Sequence, residues 1–214
     1  MNRPQAIIFD WDNTLVDTWP TIHEALNHCM AAMDKPLWSL ADTKEKVRLS
    51  LREAFPVHFG ERWEEARRVY LEYFEAIHLD RMQPLPGSQA MLEGLAAEGI
   101  YLGVVSNKTG ELLRREGEWL GWSRLFGGII GAGDAEFDKP APAPVSLALA
   151  PGGIAPGEQV WFVGDTAIDM ECALNSGCVP ILLGVSATAA EFIRHKPRLS
   201  FGNAAGLFDH VRGL

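Results

Sequence analysis

Asp10 and Asp12 stand two residues apart in Asp10-Trp11-Asp12-Asn13-Thr14, directly after the apolar run Ala6-Ile7-Ile8-Phe9. While the chain stays extended, that spacing puts both side chains on one side. Two carboxylates so close repel each other, and they need a cation or a shared proton between them. Taken alone, the pair also reads as a solvated turn rich in Asp and Asn. It does not read as a calcium loop, whose sixth position calls for Gly where this chain has Leu15. Gly164-Asp165-Thr166-Ala167-Ile168-Asp169 repeats the arrangement, with acids following the apolar run Val160–Val163. If Thr166 opens a helix, Asp169 lies on its first turn, where it would serve the helix N-terminus. Together these acids supply oxygen ligands suited to a hard cation such as Mg²⁺.

Two further segments carry polar groups at the ends of apolar text. Val104-Val105-Ser106-Asn107 closes a run with a hydroxyl and an amide, which suit either a phosphoryl oxygen or a turn. Lys139 sits in Phe137-Asp138-Lys139-Pro140-Ala141-Pro142. A lone Lys reads first as a solvated charge, but Pro140 restricts its backbone, as expected where the position of the ammonium matters.

Something must hold these groups together. The short apolar runs Ala6–Phe9, Ile100–Val105, Gly128–Ile130, Val160–Val163 and Val179–Leu183 predict strands buried on both faces, and Leu199–Phe201 predicts an edge strand. Helices are expected between them: from a Ser88 cap to about Glu98 with Gly99 as the stop, then Thr109–Leu120, Pro142–Ala150, and Thr166–Ser176 with Gly177 as the stop. Alternation of this kind predicts an α/β fold, a parallel sheet with helices on both faces, and sites beyond the carboxyl ends of its strands. From about Val16 to Gln83 no strand is apparent. Ile22–Leu26 and Trp63–Ile77 are amphipathic at helical spacing, and Pro56 and Gly60 punctuate the middle. Residues 16–83 therefore read as a helical insert in a core made of 1–15 and 84–214, with hinges at Val16-Asp17 and Gln83-Pro84. Trp19, Trp38 and Trp63 are expected in the insert's core or against a substrate.

Composition narrows the classes. The 214 residues are 47% hydrophobic and 22% charged, with a formal net charge of −9 and a pI near 5.1. That balance fits a globular domain and argues against nucleic acid or an anionic membrane as partner. An acidic protein that handles an anionic substrate needs local positive charge, so a metal cation becomes attractive. Cys29, Cys172 and Cys178 form no metal-type pair and read as reduced thiols. The short N-terminal apolar stretch is neither a signal peptide nor a span, so the expected location is cytoplasmic.

Acids, then Ser-Asn, then Lys-Pro, then acids occur in order at the ends of successive predicted strands. In this the chain resembles the haloacid dehalogenase superfamily: Asp10-Trp11-Asp12-Asn13-Thr14-Leu15 is similar to its first motif, Ser106-Asn107 to the second, Lys139-Pro140 to the third, and Gly164-Asp165 with Asp169 to the fourth. The resemblance spans essentially the whole chain. It implies a Rossmann-like three-layer core with a small all-helical cap, and a Mg²⁺-dependent phosphomonoester hydrolase. Asp10 would be the nucleophile and Asp12 the acid and base. Mg²⁺ would be held by Asp10, Asp165 and the Asp12 carbonyl, assisted by Asp169 from the second shell. Ser106, Asn107 and Lys139 would bind the phosphoryl oxygens. Val105-Ser106-Asn107-Lys108 and Phe162–Thr166 are similar to phosphoglycolate phosphatases. The expected partner is a small phosphorylated metabolite, and the expected assembly a monomer or homodimer. Arg48 and Arg52 are candidate substrate-reading cations of the cap. A phosphomutase of the beta-phosphoglucomutase type and a non-catalytic phosphate-binding protein are the rival readings.

Overall fold

The run Ala6–Phe9 forms β1, and none of its four residues has exposed surface. A strand without a wet face must be covered on both sides, which is why its sequence does not alternate. The computed structural model describes residues 2–47, 49–184 and 190–214. It divides into two compact units, Met1–Val16 with Pro84–Leu214, and Asp17–Gln83. The chain passes between them through a two-stranded ribbon of β2 (Val16–Asp17) and β3 (Gln83–Pro84), strands too short to show in the sequence pattern.

The smaller unit is helical: α1 (Trp19–Ala32), α2 (Leu40–Lys46), α3 (Leu51–Phe59) and α4 (Trp63–Arg81). Helix α4 buries Ala66, Tyr70, Phe74 and His78, spaced four apart on one face, and its main partner is α1. Pro56 lies inside α3 and does not end it; the ring's fixed φ is helical, so the helix forgoes one backbone bond and continues to Gly60. Trp19, Trp38 and Trp63 are half-buried and outside the unit's core. Lys44 lies over the Trp19 ring and Lys46 over Trp38.

The larger unit continues with α5 (Ser88–Ala97), β4 (Tyr101–Thr109), α6 (Gly110–Trp119), β5 (Gly128–Ala132), α7 (Ala143–Leu149), β6 (Val160–Gly164), α8 (Ala167–Asn175), β7 (Val179–Leu183), β8 (Leu199–Phe201) and α9 (Ala204–Arg212). Its sheet has the order β5-β4-β1-β6-β7-β8, and every pairing is parallel. This is the Rossmann-like α/β order. Crossovers of one hand, running outward from β1 in opposite directions, place helices on both faces. Gly99 and Gly177, at φ +76° and +69°, follow α5 and α8 where a left-handed residue stops a helix.

Three details depart from the sequence pattern. Ser88 is the first residue of α5 and not its cap, which is Gly87. Strand β4 runs four residues past Val105, re-pairing at Thr109–Ala132 after an irregular register. Helix α9 was not apparent from the sequence; Asn203 caps it, accepting from the Gly206 N–H at 2.9 Å.

Candidate active site

The strand order reverses direction at β1, whose neighbours are β4 and β6. Ligands of open α/β sheets bind in the crevice beyond the carboxyl ends at such a point. Phe9 is in register with Val163, and the Asp10 N–H donates to the Val163 carbonyl at 2.8 Å. Asp10 and Asp165 therefore leave adjacent strands side by side, although 155 positions separate their numbers.

Lys139 lies between them and Asp169. Its Nζ donates to Asp10 Oδ1 and to Asp169 Oδ1, both at 2.6 Å. All four side chains are buried. Asp10, Asp165 and Asp169 each bring a carboxylate oxygen within 4.8 Å of the others. Thr14 closes the group, donating to Asp165 Oδ1 at 3.1 Å, with Asp10 Oδ2 at 3.5 Å. Asp169 also serves α8: its Oδ2 accepts from the Thr166 N–H at 3.0 Å and from the Thr166 hydroxyl at 2.6 Å. One Asp169 oxygen thus meets Lys139 while the other caps the helix. Gly164 is required by the same packing, because a Cβ there would overlap the Asp169 side chain.

Three buried carboxylates around one ammonium leave an excess of negative charge. Burial pushes the Asp10 carboxyl up to about 6, against the pull of Lys139 and with help from Asp169 and Asp12. Asp165 is raised well above the ordinary carboxyl range, again by burial first, then by Asp169 and Asp10. Burial opposes the Lys139 charge, but Asp10 and Asp169 outweigh it and its pKa rises. Such a cluster has the donor set of a hard-cation site: its donors are all carboxylate oxygens, whose mutual repulsion a divalent charge would remove.

The remaining candidates are placed as follows. Ser106 is buried near the end of β4, its hydroxyl accepting from the Lys108 N–H at 3.3 Å. The Asn107 amide clamps the Lys139 backbone, accepting from its N–H at 3.0 Å and donating to its carbonyl at 3.2 Å. Asp12 is paired with a different ammonium: its Oδ1 lies 2.7 Å from Lys108 Nζ. Arg52 is exposed in the first turn of α3, in the other unit, and Arg48 lies outside the described residues.

Thr14, Lys108 and Glu116 were not singled out from the sequence. Glu116 is buried on α6 beside Leu112, Leu113 and Gly117, and an acid on an apolar helical stripe is the signal that marks it. Among the described residues no helix is long and apolar enough to cross a membrane.

Residues 7–182 match the sequence model of the haloacid dehalogenase-like hydrolases. The phosphoglycolate phosphatase of Rhodospirillum rubrum is 31% identical over 223 residues, covering 99% of this chain and 89% of that protein. A solved HAD-superfamily hydrolase from Ehrlichia chaffeensis is 31% identical with a TM-score of 0.68, covering 100% of this chain and 98% of the other. A haloacid dehalogenase-like family hydrolase from Streptococcus pneumoniae has the same fold, with a TM-score of 0.84 at 23% identity over 98% of this chain and 99% of its own.

Proposed function

The chain belongs to the haloacid dehalogenase-like hydrolase family and is a phosphatase of that family, and we propose that it hydrolyses a small phosphomonoester through a covalent intermediate on Asp10. The observation that carries this reading is the convergence of Asp10, Asp165, Asp169 and Lys139 at the carboxyl ends of β1 and β6.

An Asp10 oxygen attacks phosphorus, the new O–P bond forms, and the bond to the leaving oxygen breaks. Asp12 gives its proton to that oxygen, then removes a proton from the water that attacks the aspartyl phosphate. Phosphate departs, and both aspartates return to their starting state. Lys139 places its ammonium against Asp10, where it balances charge on the transferring oxygens, and Asn107 fixes Lys139 by its backbone. Ser106 presents a hydroxyl from the neighbouring strand end. Asp10 and Asp165, with Asp169 beside them, are the residues that would hold Mg²⁺. When bound, the ion supplies the positive charge that lets an anionic nucleophile meet an anionic phosphate.

The phosphoglycolate phosphatases among its relatives support a small phosphorylated carboxylic acid or similar metabolite as substrate. The test is phosphate release from a panel of small phosphomonoesters, in Mg²⁺ or in EDTA, by wild type and Asp10→Asn. Release that needs Mg²⁺ and disappears in the folded variant is the expected result. Release that survives the substitution would remove Asp10 as nucleophile, and phosphate moved between positions of a sugar without release would make the protein a mutase.

A further inference from the structure

We infer that Lys108, held by Glu116 and Trp11, is a positioning residue that orients Asp12 for proton transfer. The inference rests on the proposed role of Asp12 as acid and base. Each carboxylate of the Asp10–Asp12 pair has its own ammonium: Lys139 for Asp10, Lys108 for Asp12. The two acids are thereby drawn to different partners despite their closeness in the chain.

Lys108 is not a surface charge. Its side chain is 5% exposed, and its Nζ reaches both Glu116 oxygens, at 2.8 and 2.7 Å, as well as Asp12 Oδ1. Glu116 is fixed in turn by the Trp11 indole, whose Nε1 donates to Glu116 Oε2 at 2.7 Å. Trp11 has no exposed surface and packs edge-on against Trp122 and Phe126, with ring centroids 5.7 and 6.4 Å away. The residue between the two acids is thus the root of a chain that returns to Asp12: Trp11, Glu116, Lys108, Asp12. The links from Trp11 through Glu116 to the Lys108 ammonium are polar, short and buried, so the charge that meets the partly exposed Asp12 carboxylate at 2.7 Å is held in place. Anchoring Oδ1 assigns the proton exchange to Oδ2, which gives its proton to the departing oxygen as the P–O bond breaks and later takes one from water. General acid catalysis needs a donor within hydrogen-bond reach of its target, and small misplacements of reacting groups cost on the order of 10² in rate.

The measurement is kcat/KM for p-nitrophenyl phosphate and for an alkyl phosphomonoester, with Mg²⁺, in wild type, Asp12→Asn, Lys108→Met and Glu116→Gln. This ratio covers only the steps through departure of the alcohol, so the later water step does not enter. Nitrophenolate leaves without a proton, whereas an alkoxide needs one. Asp12→Asn should lose far more on the alkyl ester. Lys108→Met should show the same split, on the order of 10² on the alkyl ester and under about tenfold on the nitrophenyl ester. Glu116→Gln should show a smaller split in the same sense. Comparing two esters in one preparation cancels any loss of folded protein, and Glu116→Gln, with its near-identical shape, carries the test if Lys108→Met does not fold. Equal losses on both esters in Lys108→Met and Glu116→Gln, beside a split in Asp12→Asn, would overturn the positioning role alone. Equal losses in Asp12→Asn as well would remove Asp12 as the acid, and the inference with it.

Discussion

Replacing Lys139 by Met should uncouple stability from turnover. Lys139 is 2% exposed, and its ammonium is shared by Asp10 and Asp169 at 2.6 Å each, with Asp165 in the same cluster. Removing one partner of a buried ion pair costs about 3–5 kcal/mol, because the other is left charged and uncompensated. For a chain of this size each kcal/mol moves Tm by about 2–4 °C, so a fall of roughly 10 °C is expected in EDTA. Protonation limits that fall. The Asp10 carboxyl already sits near 6 with Lys139 in place, and it rises further without it, so the difference from wild type should be largest near pH 8 and shrink on acidification. Mg²⁺ returns positive charge to the same carboxylates and should restore much of the lost Tm. It should not restore turnover, which loses the group that balances the transferring oxygens, on the order of 10²–10³ in kcat. Thermal melts in EDTA and Mg²⁺ at two pH values, with kcat on one substrate, decide the matter. A variant that melts within about 2 °C of wild type in EDTA at pH 8 would refute the charge-balance argument. Turnover that returns together with Tm would refute the catalytic role of Lys139.

The raised Asp10 carboxyl predicts an inverted pH dependence for the metal-free protein. Its folded pKa, about 6, exceeds the ordinary 3.8, so the folded state binds this proton more tightly; the contribution is full below the ordinary value and is lost as pH rises to about 6. Melts in EDTA should show up to about 3 kcal/mol lost across that window from this group, and calorimetry should find Mg²⁺ binding weaker at pH 5.5 than at pH 7.5, where the Asp10 proton competes less. Asn107→Ala removes both hydrogen bonds to the Lys139 backbone and should lower kcat by roughly 10–10²-fold, with about 1–3 kcal/mol of stability; kcat unchanged on the best substrate would show that Lys139 is held without the clamp. Gly164→Ala forces the Asp169 side chain aside, so the Mg²⁺ concentration for half-maximal activity should rise, and an unchanged value would detach Asp169 from the metal.

The sequence by itself determined the six strands of the main sheet, and it places Asp10, Ser106 and Asp165 at or beside their ends. Ala6–Phe9 and Val160–Val163 are legible as buried strands because a sheet covered on both faces selects continuous apolar runs, and polar residues at the run ends fall at the sheet's rim wherever the strands pair. Gly99 and Gly177 likewise announced helix ends, because the left-handed stop is a local property. Pro56 and Ser88 misled for the same reason: local preference set them as breaker and cap, while the packing of Phe55 and Phe59 carried α3 through one and Gly87 displaced the other. Only the tertiary structure decided which groups touch. That Asp169 meets Asp10 across Lys139 depends on β6 lying beside β1, an order written in no single segment. That Asn107 clamps Lys139, and that Lys108 of β4, paired with Glu116 of α6, meets Asp12, depends on distances of a few ångströms that only the folded chain sets. Periodicity reports which face of an element is buried, and charge pairing in the interior reports what lies against that face.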